Sequence, residues 1–107
     1  MKIWIDDIRP ALDNSYIWIK TVKEAKSFIS KRIDSNNILQ IQEINLDHDS
    51  GIYYGEGGDY IKILDWLEEC QNLQNWKIFT SFKFHSMNPV GVQNMIRVCE
   101  RAGWSFK

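Results

Sequence analysis

The chain has 107 residues, 44% hydrophobic and 25% charged, which suits one folded domain, 1–107, around one core. Thirteen basic against fourteen acidic side chains give a formal charge of −1, without the basic excess of a general DNA binder or a membrane-surface binder; a local basic patch stays open. No apolar run is long enough to span a bilayer, Asp6 interrupts the first one too early for a secretory signal, and Cys70 and Cys99 have neither disulfide-framework nor metal-ligand spacing. They read as buried, reduced thiols, and a cytoplasmic location is expected on that basis.

Lys2 to Ile5 is a short run of β-formers stopped by Asp6-Asp7 and Pro10, which predicts a buried strand ending in a polar loop. Tyr16 to Ile19 predicts a second strand. About ten residues separate the two, near the minimum for a crossover helix, so this helix is expected to shrink to a turn around Arg9-Pro10. Thr21-Val22-Lys23-Glu24 reads as a capping box opening a helix that carries Val22, Ala25, Phe28, Ile29 and Ile33 on one face and runs to about Ile33.

Ile41 to Leu46 predicts a third strand, closed by Asp47-His48-Asp49-Ser50. Gly51, Gly55, Gly57 and Gly58 then crowd one loop, without P-loop or dinucleotide-fingerprint spacing, and predict a flexible cover over the strand ends. Asp59 is placed as the cap of a helix burying Tyr60, Ile63, Leu64 and Leu67. Trp76 to Phe84 predicts a fourth strand ending at His85-Ser86. Asn88-Pro89 opens a last helix, asparagine at the cap and proline at its first position, with Val92, Met95, Ile96, Cys99 and Ala102 on one face and Gly103 past its end. Trp104 to Phe106 predicts a short final strand. The tryptophans read as core and rim packing, except Trp18, which the pattern leaves unassigned.

Strands alternating with helices predict an α/β fold. The expected form is a three-layer flavodoxin-like parallel sheet, order 2-1-3-4-5, with a reduced first crossover helix and no last helix. Ligands of such sheets bind beyond the carboxyl ends of the strands, at the switch in strand order. Three strand ends bring Asp6-Asp7, Asp47-His48-Asp49 and His85-Ser86 with Asn88 to that edge, including both histidines. Converging carboxylates repel unless a cation sits among them or their pKa values rise, and a hard divalent ion such as Mg²⁺ or Mn²⁺ favours oxygen ligands. Turn capping would account for single members of the set, and His48 could simply be bonded to an aspartate. Two imidazoles can divide proton transfer on a phosphodiester, His85 being the favoured carrier. Free amides at the Asn88-Pro89 helix start attract phosphate.

Lys2-Ile3-Trp4-Ile5-Asp6-Asp7-Ile8-Arg9-Pro10, Leu46-Asp47-His48-Asp49 and His85-Ser86-Met87-Asn88-Pro89-Val90-Gly91 resemble, in order and spacing, three signatures of the cyclic-phosphate-processing receiver-like family, a divergent branch of the receiver fold. The resemblance implies a metal-binding acidic pair at Asp6 and Asp7 and the phosphoacceptor position at Asp47. It implies a histidine-asparagine-proline motif at His85 and Asn88, absent from ordinary receivers, and a small hydroxyl residue at Ser86. The lysine that follows a receiver's fifth strand has no counterpart.

The leading expectation is a phosphoesterase, or a processor of cyclic phosphates on RNA ends or nucleotides. His85, Asp47 and His48 would carry the chemistry, and Asn88, Ser86 and Arg9 would contact phosphate. Asp6, Asp7, Asp47 and Asp49 would hold the metal. The rivals are a signalling module phosphorylated on Asp47 and a non-catalytic protein that sequesters a cyclic nucleotide. Oligomeric state is left open.

Overall fold

The computed structural model describes residues 1–107. Its strands are β1 (Lys2–Ile5), β2 (Tyr16–Ile19), β3 (Glu43–Leu46), β4 (Ser81–Phe84) and β5 (Ser105–Phe106). Its helices are α1 (Val22–Ser30), α2 (Ile61–Gln74) and α3 (Pro89–Ala102). The five strands form one parallel sheet in the order β2-β1-β3-β4-β5, with the switch between β1 and β3 as read. No helix joins β1 to β2. No helix is long and apolar enough to cross a membrane.

Period-two alternation sorts the sheet into two faces. Ile3, Ile5, Ile44, Leu46 and Phe82 point to one face, where they join Val22, Ala25 and Ile29 of α1, Ile63, Leu64 and Leu67 of α2, and Met95, Val98 and Cys99 of α3 in a single apolar cluster. Fully burying each such side chain is worth about 1.5–3 kcal/mol. All three helices therefore feed one core. The third layer expected from sequence is no helical layer: Trp4, on the other face, is buried under the 6–15 connection, its indole donating to the Arg9 carbonyl (2.8 Å).

Several element limits differ from the sequence reading. α1 ends at Ser30, because the chain beyond it turns around the Asp34 carboxylate, which accepts from the Asn36 and Ile38 amides (2.8 and 3.0 Å). β3 and β4 start at Glu43 and Ser81, level with Lys2, where β1 begins and offers a partner to β3, and β3 in turn to β4. Asp59 does not cap α2: its carboxylate accepts from the Ser50 amide (3.0 Å) and hydroxyl (3.3 Å) and closes the base of the glycine loop. That loop holds a 3-10 turn, Gly51–Glu56. Thr21 caps α1 by accepting from the Glu24 amide (2.9 Å), Asn88 caps α3, and Gly103 adopts the left-handed conformation past its end. Both cysteines are free and buried, and burial pushes the Cys99 thiol up to about 12.

Candidate functional site

β1 ends at Ile5, so Asp6 is the first side chain past the sheet. It is only 2% exposed. Its Oδ1 accepts from the Ile8 and Arg9 amides (both 2.9 Å), turning the chain back, and its Oδ2 pairs with His85 Nε2 at 2.8 Å. Burial acts to raise its pKa, but the two amides and His85 outweigh it and hold the carboxyl below the usual range. Asp7 and Asp47 stand beside it, half-buried, with one carboxylate oxygen of each of the three within 4.8 Å of the others. Burial, a hydrogen bond shared with Asp6 and the charges of Asp6 and Asp47 push the Asp7 pKa up.

All three offer oxygen ligands, and the raised pKa of Asp7 reflects a repulsion that an added positive charge would relieve. The set fits a hard divalent cation. Asp49, counted with these ligands from sequence, stands elsewhere. It is exposed and groups with His48 and Asp59, because it lies two residues further from the end of β3 and points toward α3.

His85 continues β4 and is engaged on every side. Besides Asp6, its Nδ1 bonds the side-chain amide of Asn45 (2.7 Å), and its ring stacks on Trp4 with centroids 3.8 Å apart. Burial holds its pKa below the ordinary imidazole value against the pull of Asp6. His48 is different. Its Nδ1 lies 2.8 Å from Asp49 Oδ1, its Nε2 makes no hydrogen bond within the chain, and its ring rests on Gly91 in the first turn of α3. A Cβ at residue 91 would come within 2.4 Å of that ring, so the glycine is what allows the approach.

The phosphate contacts expected from sequence are brought to the same edge, with altered emphasis. Arg9 donates to the His85 carbonyl (3.0 Å) and keeps its other guanidinium hydrogens free. Asn88 spends its Oδ1 on the Gly91 amide (2.9 Å), and its Nδ2 faces Asp49 (3.4 Å). Ser86 Oγ accepts from the Asn88 amide (3.1 Å). Since Pro89 has no N–H, the start of α3 offers the Val90 amide and little else.

Asn45, Trp4, Trp18, Gly51 and Gly91 also build the site. Trp18 donates from its indole to the Asp6 carbonyl (2.8 Å). Gly51, at φ +57°, lets the backbone run so close to Asp7 that a Cβ would meet its carboxylate at 2.4 Å. Trp4 and Gly91 stand inside the signature segments and Gly51 in the glycine-rich loop, with no such role read for them, and Asn45 shows only as an amide between Ile44 and Leu46.

No curated protein and no solved structure matches the chain. A family model described as "Cyclic-phosphate processing Receiver domain" matches residues 1–101, nearly the whole chain and every strand end described above except β5. With that match and a β2-β1-β3-β4-β5 parallel sheet carrying an acidic cluster beyond β1 and β3, the chain belongs to the cyclic-phosphate processing receiver domain family.

Proposed function

We propose that this protein hydrolyses a cyclic phosphodiester at the carboxyl edge of its sheet. The observation that carries the reading is the pairing, at one edge, of the Asp6–Asp7–Asp47 oxygen cluster with a histidine bonded through Nδ1 to a carboxylate and left without a hydrogen bond at Nε2. Asp7 and Asp47, with Asp6 behind them, would hold a divalent cation, which when bound polarises a phosphoryl oxygen. Asp49 holds His48 with Nδ1–H toward itself, leaving Nε2 to take the proton of the attacking water. The water oxygen bonds to phosphorus, one ester P–O bond of the ring breaks, and the proton returns from His48 to the leaving oxygen. Arg9 faces the phosphate with its free guanidinium hydrogens. His85, with both nitrogens taken, serves to hold Asp6 in place. Exposed Ile8, Ile52 and Met87 on the three surrounding loops supply apolar rim for a nucleoside rather than a bare phosphate.

Hydrolysis of a 2′,3′-cyclic mononucleotide, with Mg²⁺ or Mn²⁺, tests this. His48→Gln should lower kcat by about 10²–10⁴ with little change in binding. Divalent cation should raise the Tm of the wild type and not of Asp47→Ala. Tight binding without conversion under any metal would replace the enzyme by a sequestering protein. A stable acyl phosphate on Asp47 would replace it by a signalling receiver.

A further inference from the structure

The largest cavity of the molecule, about 770 Å³, lies on the outer side of α1 and has none of Asp6, Asp7 and Asp47 in its walls. Four cations line it, Lys20, Lys23, Lys31 and Arg32, against two carboxylates, Glu24 and Glu56. The segment from Lys20 to Arg32 holds five cations and one acid in a chain whose net charge is −1, so the balanced total conceals a strongly polarised surface. None of the four lining cations takes part in an ion pair; the four salt bridges of the structure use other residues.

Lys23, Ser27 and Lys31 form one stripe at i, i+4 and i+8, about 12 Å long at 1.5 Å per residue, too long for one phosphate to satisfy both ends. Two aromatic rings share the walls. Phe28 carries the Arg32 guanidinium 3.9 Å from its ring centre, and Tyr53 comes from the 3-10 turn. Cations spaced along a groove, interleaved with aromatic surface, are what a single strand of nucleic acid requires.

The cleft adjoins the acidic site. Lys20 follows Ile19, whose carbonyl accepts from the Asp6 amide (3.2 Å), and the Lys20 carbonyl itself accepts from the buried Tyr60 hydroxyl (2.6 Å). The turn that supplies Tyr53 and Glu56 begins at Gly51, against Asp7.

We infer that this cleft binds the sugar-phosphate backbone of single-stranded RNA whose cyclic-phosphate end occupies the acidic edge. The inference deepens the hydrolase reading and rests on it: it makes the substrate an RNA terminus instead of a free nucleotide. Acidic groups around Asp7 grip the end through a cation, while the basic stripe draws in the strand behind it.

The test compares three probes: a short oligoribonucleotide ending in a 2′,3′-cyclic phosphate, the same strand ending in a 3′-hydroxyl, and a 2′,3′-cyclic mononucleotide. Binding is measured by fluorescence anisotropy and calorimetry on the wild type and on Lys23→Glu/Lys31→Glu, whose two positions are exposed and whose Tm should stay unchanged. The cyclic oligonucleotide should bind the wild type about tenfold more tightly than the mononucleotide. The double variant should lose that advantage, keep its mononucleotide affinity, and show a slope of log K against log salt shallower by about 1.4. Equal affinity for oligonucleotide and mononucleotide, or a variant that binds RNA like the wild type, overturns the inference. A phosphoserine peptide of matched charge competing as well as RNA overturns it in favour of a protein partner. If both oligonucleotides bind alike and the variant loses both, the RNA cleft stands and the cyclic-phosphate reading is what fails.

Discussion

The two faces of the sheet are built from the same short strands and hold together by different physics. On the helical face, one apolar cluster unites β1, β3 and β4 with all three helices. On the other face no helix packs, and the strands bury a chain of polar contacts. Lys83 pairs with Glu43 (2.9 Å), Glu43 accepts from the Tyr16 hydroxyl, and Asn45, beside Tyr16, bonds His85, which bonds Asp6. Apolar packing is non-directional and tolerates small shifts. A hydrogen-bonded chain fixes each member's orientation, and a missing partner leaves the next one buried and unsatisfied. Loss of the first crossover helix thus leaves the site's supporting shell on the directional side of the molecule.

Three substitutions test this contrast. Ile44→Ala, in the apolar cluster, should cost about 2–5 kcal/mol in chemical denaturation and leave the metal-dependent rise in Tm at its wild-type size. Asn45→Ala, its neighbour on the opposite face, should cost less, about 1–3 kcal/mol, yet shrink the metal-dependent rise, because His85 loses the partner that keeps it on Asp6. Equal metal responses in the two variants would show that the polar chain does not support the site.

The smallest effect is expected at Asp7. Its folded pKa stands above the ordinary carboxyl value, so its contribution to stability is complete below that value and is lost as pH rises through the folded one. Above that range Asp7 lowers the stability of the fold, because its ionised form meets burial and the charges of Asp6 and Asp47. Asp7→Asn should therefore raise Tm by a few degrees in chelator, a gain that fades in acid, and should respond weakly to divalent cation. A variant that melts below the wild type at pH 7 would contradict this account of the acidic cluster.

The strand order, the missing first crossover helix and the gathering of Asp6, Asp7, Asp47 and both histidines at one edge follow from local signals. β-rich runs stop at charged residues, Thr21 and Asn88 mark helix starts, and the short β1–β2 connection has no room for a crossover helix. Such signals depend on neighbours within a few residues, which is why a single chain displays them. Which histidine is free and which is held was not legible, because His85 meets Asn45, Asp6 and Trp4 only across strand pairings, forty or more residues apart in sequence. The same holds for the layer that covers Trp4, for Asp49 leaving the metal cluster, and for Asp59 closing a loop instead of capping a helix. Periodicity and capping specify where an element runs and which way its side chains alternate. The contacts between elements, and with them the division of labour between two histidines, are set by a register that exists only once the sheet has closed.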